Sequence, residues 1–187
     1  ACVMDIDRKL HKGSDARLTP DEANIGTDGS QTILMNTLGM DLAHQSNLIY
    51  ADANVVAKED GSVSAGFKLN WGFDMDAIDP AAISDGSKQD ALSKLGAGKL
   101  VSGSYKTIIR NTAMAHLLRT FCGIFSAESA QKGLSLLAGK VGEPIAAPCV
   151  TIADEPLMPF GLASTPFDME GSATFDKNLV EDGVLKT

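Results

Sequence analysis

The side chains of this 187-residue chain that could do chemistry are few: His11, His44 and His116, the cysteines Cys2, Cys122 and Cys149, and two acidic clusters, Asp154 with Glu155 and Asp168 with Glu170. A hydrolytic zinc centre needs neutral imidazoles converging on one ion and a carboxylate to activate its water. No two of these histidines stand at helical spacing and no HExxH occurs. His116 is the residue on which a catalytic reading has to rest, and the plainer reading makes it a partly buried helix residue with its ring hydrogen-bonded. The acids could hold a hard cation or form an acid–base pair. Set beside prolines and glycines, in IADEPL and PFDMEG, they fit better as acceptors for turn amides or as groups facing water.

A thiol enzyme needs a basic partner beside its sulfur. His116 and Cys122 are six positions apart, which sends them to different faces of a regular helix turning about 100° per residue. Cys122 reads instead as a small apolar group packed in a helix, and Cys149 as the entry to a strand. Three widely spaced cysteines make neither a secreted disulfide framework nor a CxxC metal knuckle, so reduced thiols are expected. The glycine-rich GAGKLVSG at 96–103 lacks the order of a P-loop.

The element that must position His116 runs over residues 104–125, where the hydrophobic period changes from two to about three and a half. Tyr105, Ile108 and Ile109 predict an extended segment that feeds straight into a helix, with Asn111 or Thr112 as its cap. Met114, Leu117, Leu118, Phe121 and Phe125 then recur at helical spacing and predict one buried stripe, with His116 off its centre.

Around this stretch the sequence predicts an α+β fold: antiparallel strands with a few helices, and a strand-rich second lobe. A helix is expected over 4–11, then a turn-rich loop to residue 30 with one helical turn after Thr19, Pro20 taking the first helical position. Strands are expected over 31–37, 47–57 and 62–69, the last two joined by an Asp60-Gly61 hairpin turn in an antiparallel meander. Gly66 marks a bulge or a close backbone approach. A helix begins at Asp79-Pro80 and ends near Leu95 with Gly96 as a left-handed cap, facing Ile83, Leu92 and Leu95 to the core, and Gly86 weakens its middle by about 1 kcal/mol relative to alanine. Later strands are expected over 150–153 and 174–180, with Asp182-Gly183 as a turn before Val184-Leu185. The connection at 96–103 divides the chain at about 102: residues 1–102 as the end of an α+β domain, and 103–187 as the start of a mainly β domain.

Composition excludes several functions. A formal charge of −8 with only 16 scattered Lys and Arg argues against a nucleic-acid surface, which needs clustered cations. No apolar run approaches the ~18–20 residues that cross a bilayer, and no signal-peptide core is present in the first residues, so a cytoplasmic address is expected. With 44% hydrophobic residues the chain fills one core or two small lobes. It opens without methionine and closes in what reads as a strand, which suggests the middle of a longer protein.

The order of pieces, NTAMAHLLRTFCGIFSAESAQKGLSLLAGKVGEP, then TIADEPLMPFGLASTPFDMEG, then NLVEDGVL, resembles the TldD/PmbA family, historically called modulators of DNA gyrase. The likeness is most specific over 104–185 and extends more loosely back through DPAAISDGSKQDALSKLGAGKLVSG, as a central fragment of such a protein. The resemblance implies a heterodimeric metallopeptidase acting on unfolded peptides, in which the TldD branch carries HExxxH on a helix. Laid on that motif, Asn111 stands for the first histidine, Thr112 for the glutamate and His116 for the second histidine. Asparagine is a poor zinc ligand and threonine is no general base at neutral pH. The sequence therefore resembles the PmbA branch, also called TldE, which implies no metal or cofactor of its own and a TldD-like catalytic subunit as partner in proteolysis or maturation of peptides. The rival expectation is a metallopeptidase active alone through a non-standard site around His116, and a homo-oligomer is a third.

Overall fold

The computed structural model describes residues 2–12 and 15–187, and the chain divides into two compact units, Ala1–Val101 and Ser102–Thr187. Both units mix helices with antiparallel sheet, as an α+β fold requires.

The first unit opens with helix α1, Cys2–His11, whose Ile6 and Leu10 are buried four positions apart on one face. A three-stranded antiparallel meander follows in the order β1-β2-β3, with β1 at Leu18–Met35, β2 at Asp41–Glu59 and β3 at Ser62–Gly72. The β1–β2 turn is held by Asn36, whose side-chain oxygen accepts from the amides of Leu38 at 2.9 Å and Met40 at 3.1 Å. Asp60 and Gly61 make the β2–β3 turn at φ 47° and 80°, the pair of left-handed residues that a two-residue hairpin with matching twist demands.

Along β2 the period-two alternation sends Ala51, Ala53, Val55 and Ala57 inward, all 1% exposed or less. Three alanines in that row let helices approach the sheet closely. Helix α2, Pro80–Leu92, is one of them: Asp79 caps it by accepting from the amides of Ala81 (2.8 Å) and Ala82 (3.2 Å), and proline takes its first position. Ile83 is wholly buried, a gain of about 1.5–3 kcal/mol over exposure, and Leu92 and Leu95 pack against the same core. Ser84 and Ser87, also wholly buried, bring α2 against α1: the Ser84 hydroxyl reaches the carbonyls of Pro80 (2.7 Å) and Ile6 (3.2 Å). Gly66 is the close approach that the sequence marks, since a Cβ there would lie 2.1 Å from the Ser87 carbonyl oxygen.

The second unit holds helix α3 at Asn111–Phe121, a 3-10 turn at Cys122–Phe125, helix α4 at Ala127–Gln131 and a small antiparallel sheet. That sheet runs in the order β4-β5-β6, at Ile152–Asp154, Lys177–Glu181 and Val184–Leu185. Asp182-Gly183 turns β5 into β6, and Phe167, Val180 and Leu185 are buried. No helix among the described residues is long and apolar enough to cross a membrane.

Several expectations are corrected. Residues 18–30 are not a loop with a helical turn after Thr19: they are the first 13 of the 18 residues of β1. Pro20 sits on an edge strand at a register shift between Pro20 and Glu22, one of the few places a sheet tolerates proline, so its helix-start reading loses to the long partner strand β2. The Gly13 and Ser14 portion of that loop lies outside the described residues. β2 begins at Asp41, six residues ahead of its expected start, and β4 and β5 start two and three residues later than expected. Residues 104–110 carry no strand pairing. The stripe on α3 is not buried: Met114 is 39% exposed and Phe121 59%, because α3 meets little of its own unit beyond the 3-10 turn that follows it.

Candidate functional site

Helix α3 is the element that carries the candidate site. Its N-cap, Arg110, is extended at φ −62° and ψ 143° and makes no side-chain cap bond, while the Asn111 side-chain oxygen accepts from the neighbouring Thr112 amide at 2.8 Å. The cap that Asn111 or Thr112 was expected to supply to the helix is thus a purely local bond. Asn111, Thr112 and His116 are all exposed. His116 does not fit the partly buried reading, and its carbonyl accepts the Thr120 hydroxyl at 2.9 Å, one turn on. Asn111 and His116 are five positions apart, which separates their directions by about 140° on a regular helix.

The thiols are likewise at the surface. Cys122 is exposed, with Sγ donating to the Arg119 carbonyl at 3.1 Å, rather than packed as a small apolar group. Cys149 is exposed in a turn, not at a strand entry, because β4 starts at Ile152. His11 sits one helical turn from Asp7 on α1, its Nδ1 3.1 Å from the Asp7 carbonyl, and His44 lies opposite Thr32 in the β1–β2 ribbon. Among the described residues no three His, Cys, Asp or Glu side chains gather as metal ligands would.

The acidic clusters take the structural roles that their neighbours imply. Asp168 closes a turn: its side-chain oxygen accepts from the amides of Glu170 and Ser172, both at 2.9 Å, and Gly171 returns its amide to the Asp168 carbonyl at 3.0 Å. Asp154 pairs with Lys177 at 2.8 Å across β4 and β5, while Glu155 and Glu170 face solvent. Lys186 sits 3.0 Å from Glu181 and holds that carboxyl below its usual range. In the first unit the Arg17 guanidinium grips Asp15 at 2.6 Å and brings its pKa down to about 2.

Sequence reasoning missed a cleft of about 430 Å³ in the second unit, lined by Ile124, Phe125, Ala130, Leu137, Val141 and Leu185 among others. Its walls come from residues 124–141 and from 185–187, more than forty positions further on, so no local pattern could signal it.

Two family models cover almost the whole chain: the PmbA/TldA metallopeptidase central domain over residues 3–95, and the C-terminal domain of the same family over 102–187. The chain belongs to the PmbA/TldD family. Among family members, the metalloprotease PmbA homolog of Haemophilus influenzae is 23% identical over 198 aligned positions, covering all of this chain and 44% of that protein. The crystal structure of a putative modulator of DNA gyrase from Thermotoga maritima superimposes with a TM-score of 0.90 at 34% identity, over 99% of this chain and 44% of that one. TldE from Thermococcus kodakarensis follows at 0.77 and 26%, over 98% of this chain and 41% of that one. The chain thus spans under half the length of these PmbA/TldD relatives.

Proposed function

We infer that this PmbA/TldD chain belongs to a non-catalytic partner subunit, which works in the cytoplasm beside a TldD-like metallopeptidase in cutting or maturing unfolded peptides. The observation that carries this reading is the donor set on α3. Where the resemblance calls for His, Glu and His, the chain has Asn111, Thr112 and His116. These residues do not fit a catalytic zinc ion. A carboxamide oxygen is a weak zinc ligand, Asn111 spends that oxygen on the Thr112 amide, and a threonine hydroxyl does not deprotonate water at neutral pH. One imidazole alone leaves the ion short of the three protein ligands that a catalytic zinc site uses.

The apolar side of α3 agrees with a subunit role, since Met114, Leu117, Leu118 and Phe121 present an uncovered row on the helix bearing the altered motif. Metal analysis of the full-length protein, purified with and without a TldD-like subunit, tests the reading. Stoichiometric zinc should appear only in the mixed complex. About one tightly held zinc per chain in the isolated protein, lost on His116→Ala together with peptidase activity, would establish the lone-enzyme reading instead.

A further inference from the structure

Two side chains of α2 occupy the side of β3 that faces away from β2. In an antiparallel ladder alternate residues turn their amide and carbonyl away from the partner strand, and on the last strand of a sheet those groups are a template for a further one. β3 is last in the order β1-β2-β3. Its Phe67 amide donates to the Asp90 carboxylate at 3.2 Å, and Lys94 donates both to the Ala65 carbonyl at 2.8 Å and to Asp90 at 2.6 Å. Asp90 and Lys94 thus supply the acceptor and the donor that two residues of a fourth strand would bring. They stand four positions apart on one helix face with the acid first, the order in which such a pair supports itself. The close approach of α2 at Gly66 brings them within reach of the strand.

The composition of β3 explains why such a device is needed. Between Ser62 and Gly72 the strand has one charged residue, Lys68, and no proline or register shift. That lysine is packed on α2, since a Cβ on Gly86 would lie 2.9 Å from its Cγ. Val63, Ala65, Phe67, Leu69 and Trp71 alternate on the opposite face, so two copies of β3 could pair there without setting like charges against each other. A strand with this pattern has none of the usual protections of its own.

We propose that Asp90 and Lys94 form a latch that ends the sheet at β3, and that releasing it lets β3 pair with the β3 of a second copy. The inference is independent of the partner-subunit reading. The test compares the full-length protein with Asp90→Ala/Lys94→Met, by sedimentation and by amide hydrogen exchange across a range of concentration. At low concentration the Phe67 amide of the double variant should exchange roughly tenfold faster than in the parent, having lost its acceptor. As concentration rises the variant should associate further than the parent does, and its Phe67 amide should slow again. Asp90→Asn, which keeps an acceptor oxygen, should behave as the parent. Lys94 is half exposed, so Lys94→Met alone keeps the fold and should show a weaker form of the same association. Equal association of parent and both Lys94→Met variants at every concentration would overturn the proposal. So would association that leaves the Phe67 amide fast, or that comes with lost protection along β2, which would mark unfolding instead of edge pairing.

Discussion

The carbonyl oxygen of Ser87 in α2 lies so near Gly66 in β3 that a Cβ on residue 66 would stand 2.1 Å from it, with the Ala91 amide nitrogen at 2.3 Å. Helix and strand therefore touch backbone to backbone, and the Ser64 hydroxyl, donating to the Ala91 carbonyl at 2.6 Å, fixes the same contact one pleat away. Neither obstacle is the flexible end of a side chain, so Gly66→Ala must push α2 off the sheet. The expected cost is at least about 3 kcal/mol, read as a lowered urea midpoint at unchanged slope. A loss below about 1 kcal/mol would mean that the helix sits farther from β3 than it does here.

The two apolar rows of the molecule should respond differently to truncation. Ile83 is wholly enclosed, so Ile83→Ala is expected to cost about 2–5 kcal/mol. Leu117 and Leu118 on α3 are 44% and 45% exposed, so Leu118→Ala in this polypeptide should change stability by under about 0.5 kcal/mol. The same substitution in the full-length protein, or in its complex, measures whether this row is covered there. A shift of several degrees in Tm on adding a TldD-like subunit, absent in Leu118→Ala, would locate the interface on α3.

That contrast also shows what the sequence could and could not tell. Local chemistry was legible wherever one or two residues dictate the backbone: Asp79-Pro80 at the start of α2, Asp60-Gly61 in the hairpin, Gly66 at a close approach. The helical period of α3 was legible as well, but periodicity reports only that a helix has an apolar face, not what covers it. β1 was misread because its early residues, TPDEANIGTDGS, have the composition of a loop. They become strand because β2 supplies a partner over its whole length, a pairing at sequence separations that no window of neighbours reveals. For the candidate site, spacing identified Asn111, Thr112 and His116, while their exposure and the local bond of Asn111 needed coordinates.

Asp15 makes the first unit mildly acid-sensitive. The Arg17 side chain and amide both donate to its carboxylate and hold its pKa near 2, against an ordinary value of 3.8, and Arg17 also reaches Glu59 at 2.9 Å. A carboxyl whose folded pKa is depressed adds stability that is complete above its unfolded pKa and lost as pH falls through the folded one. Asp15→Asn should therefore unfold at a slightly lower temperature than the parent at pH 7, and the two melting curves should converge as pH drops from about 4 toward 2. The gap should be small, and smaller still at high salt, because the pair is partly exposed. A gap that widens on acidification would show that the sign is wrong.

In the second unit the corresponding pivot is Gly183. Its φ of 81° lies in the left-handed region, and a Cβ there would meet the carbonyl oxygens of Ala146 at 2.5 Å and Ala147 at 2.8 Å. The same residue ties three segments together: its amide donates to the Val150 carbonyl at 2.9 Å, and its own carbonyl accepts from the amides of Ile145 and Ala146 at 2.8 and 3.1 Å. Gly183→Ala therefore adds a left-handed backbone cost of about 1–2 kcal/mol to a steric clash that breaks this knot, and a total near 3 kcal/mol is expected. Its neighbour provides the control. Asp182 is also left-handed, at φ 50°, yet Asp182→Gly relieves strain instead of creating it, so its effect should stay within about 1 kcal/mol and lean toward stabilisation. Hydrogen exchange should localise the Gly183→Ala loss to residues 143–151 and to β5 and β6, leaving the amides of β2 unchanged. Equal acceleration in both units would instead mean that they unfold as one cooperative body.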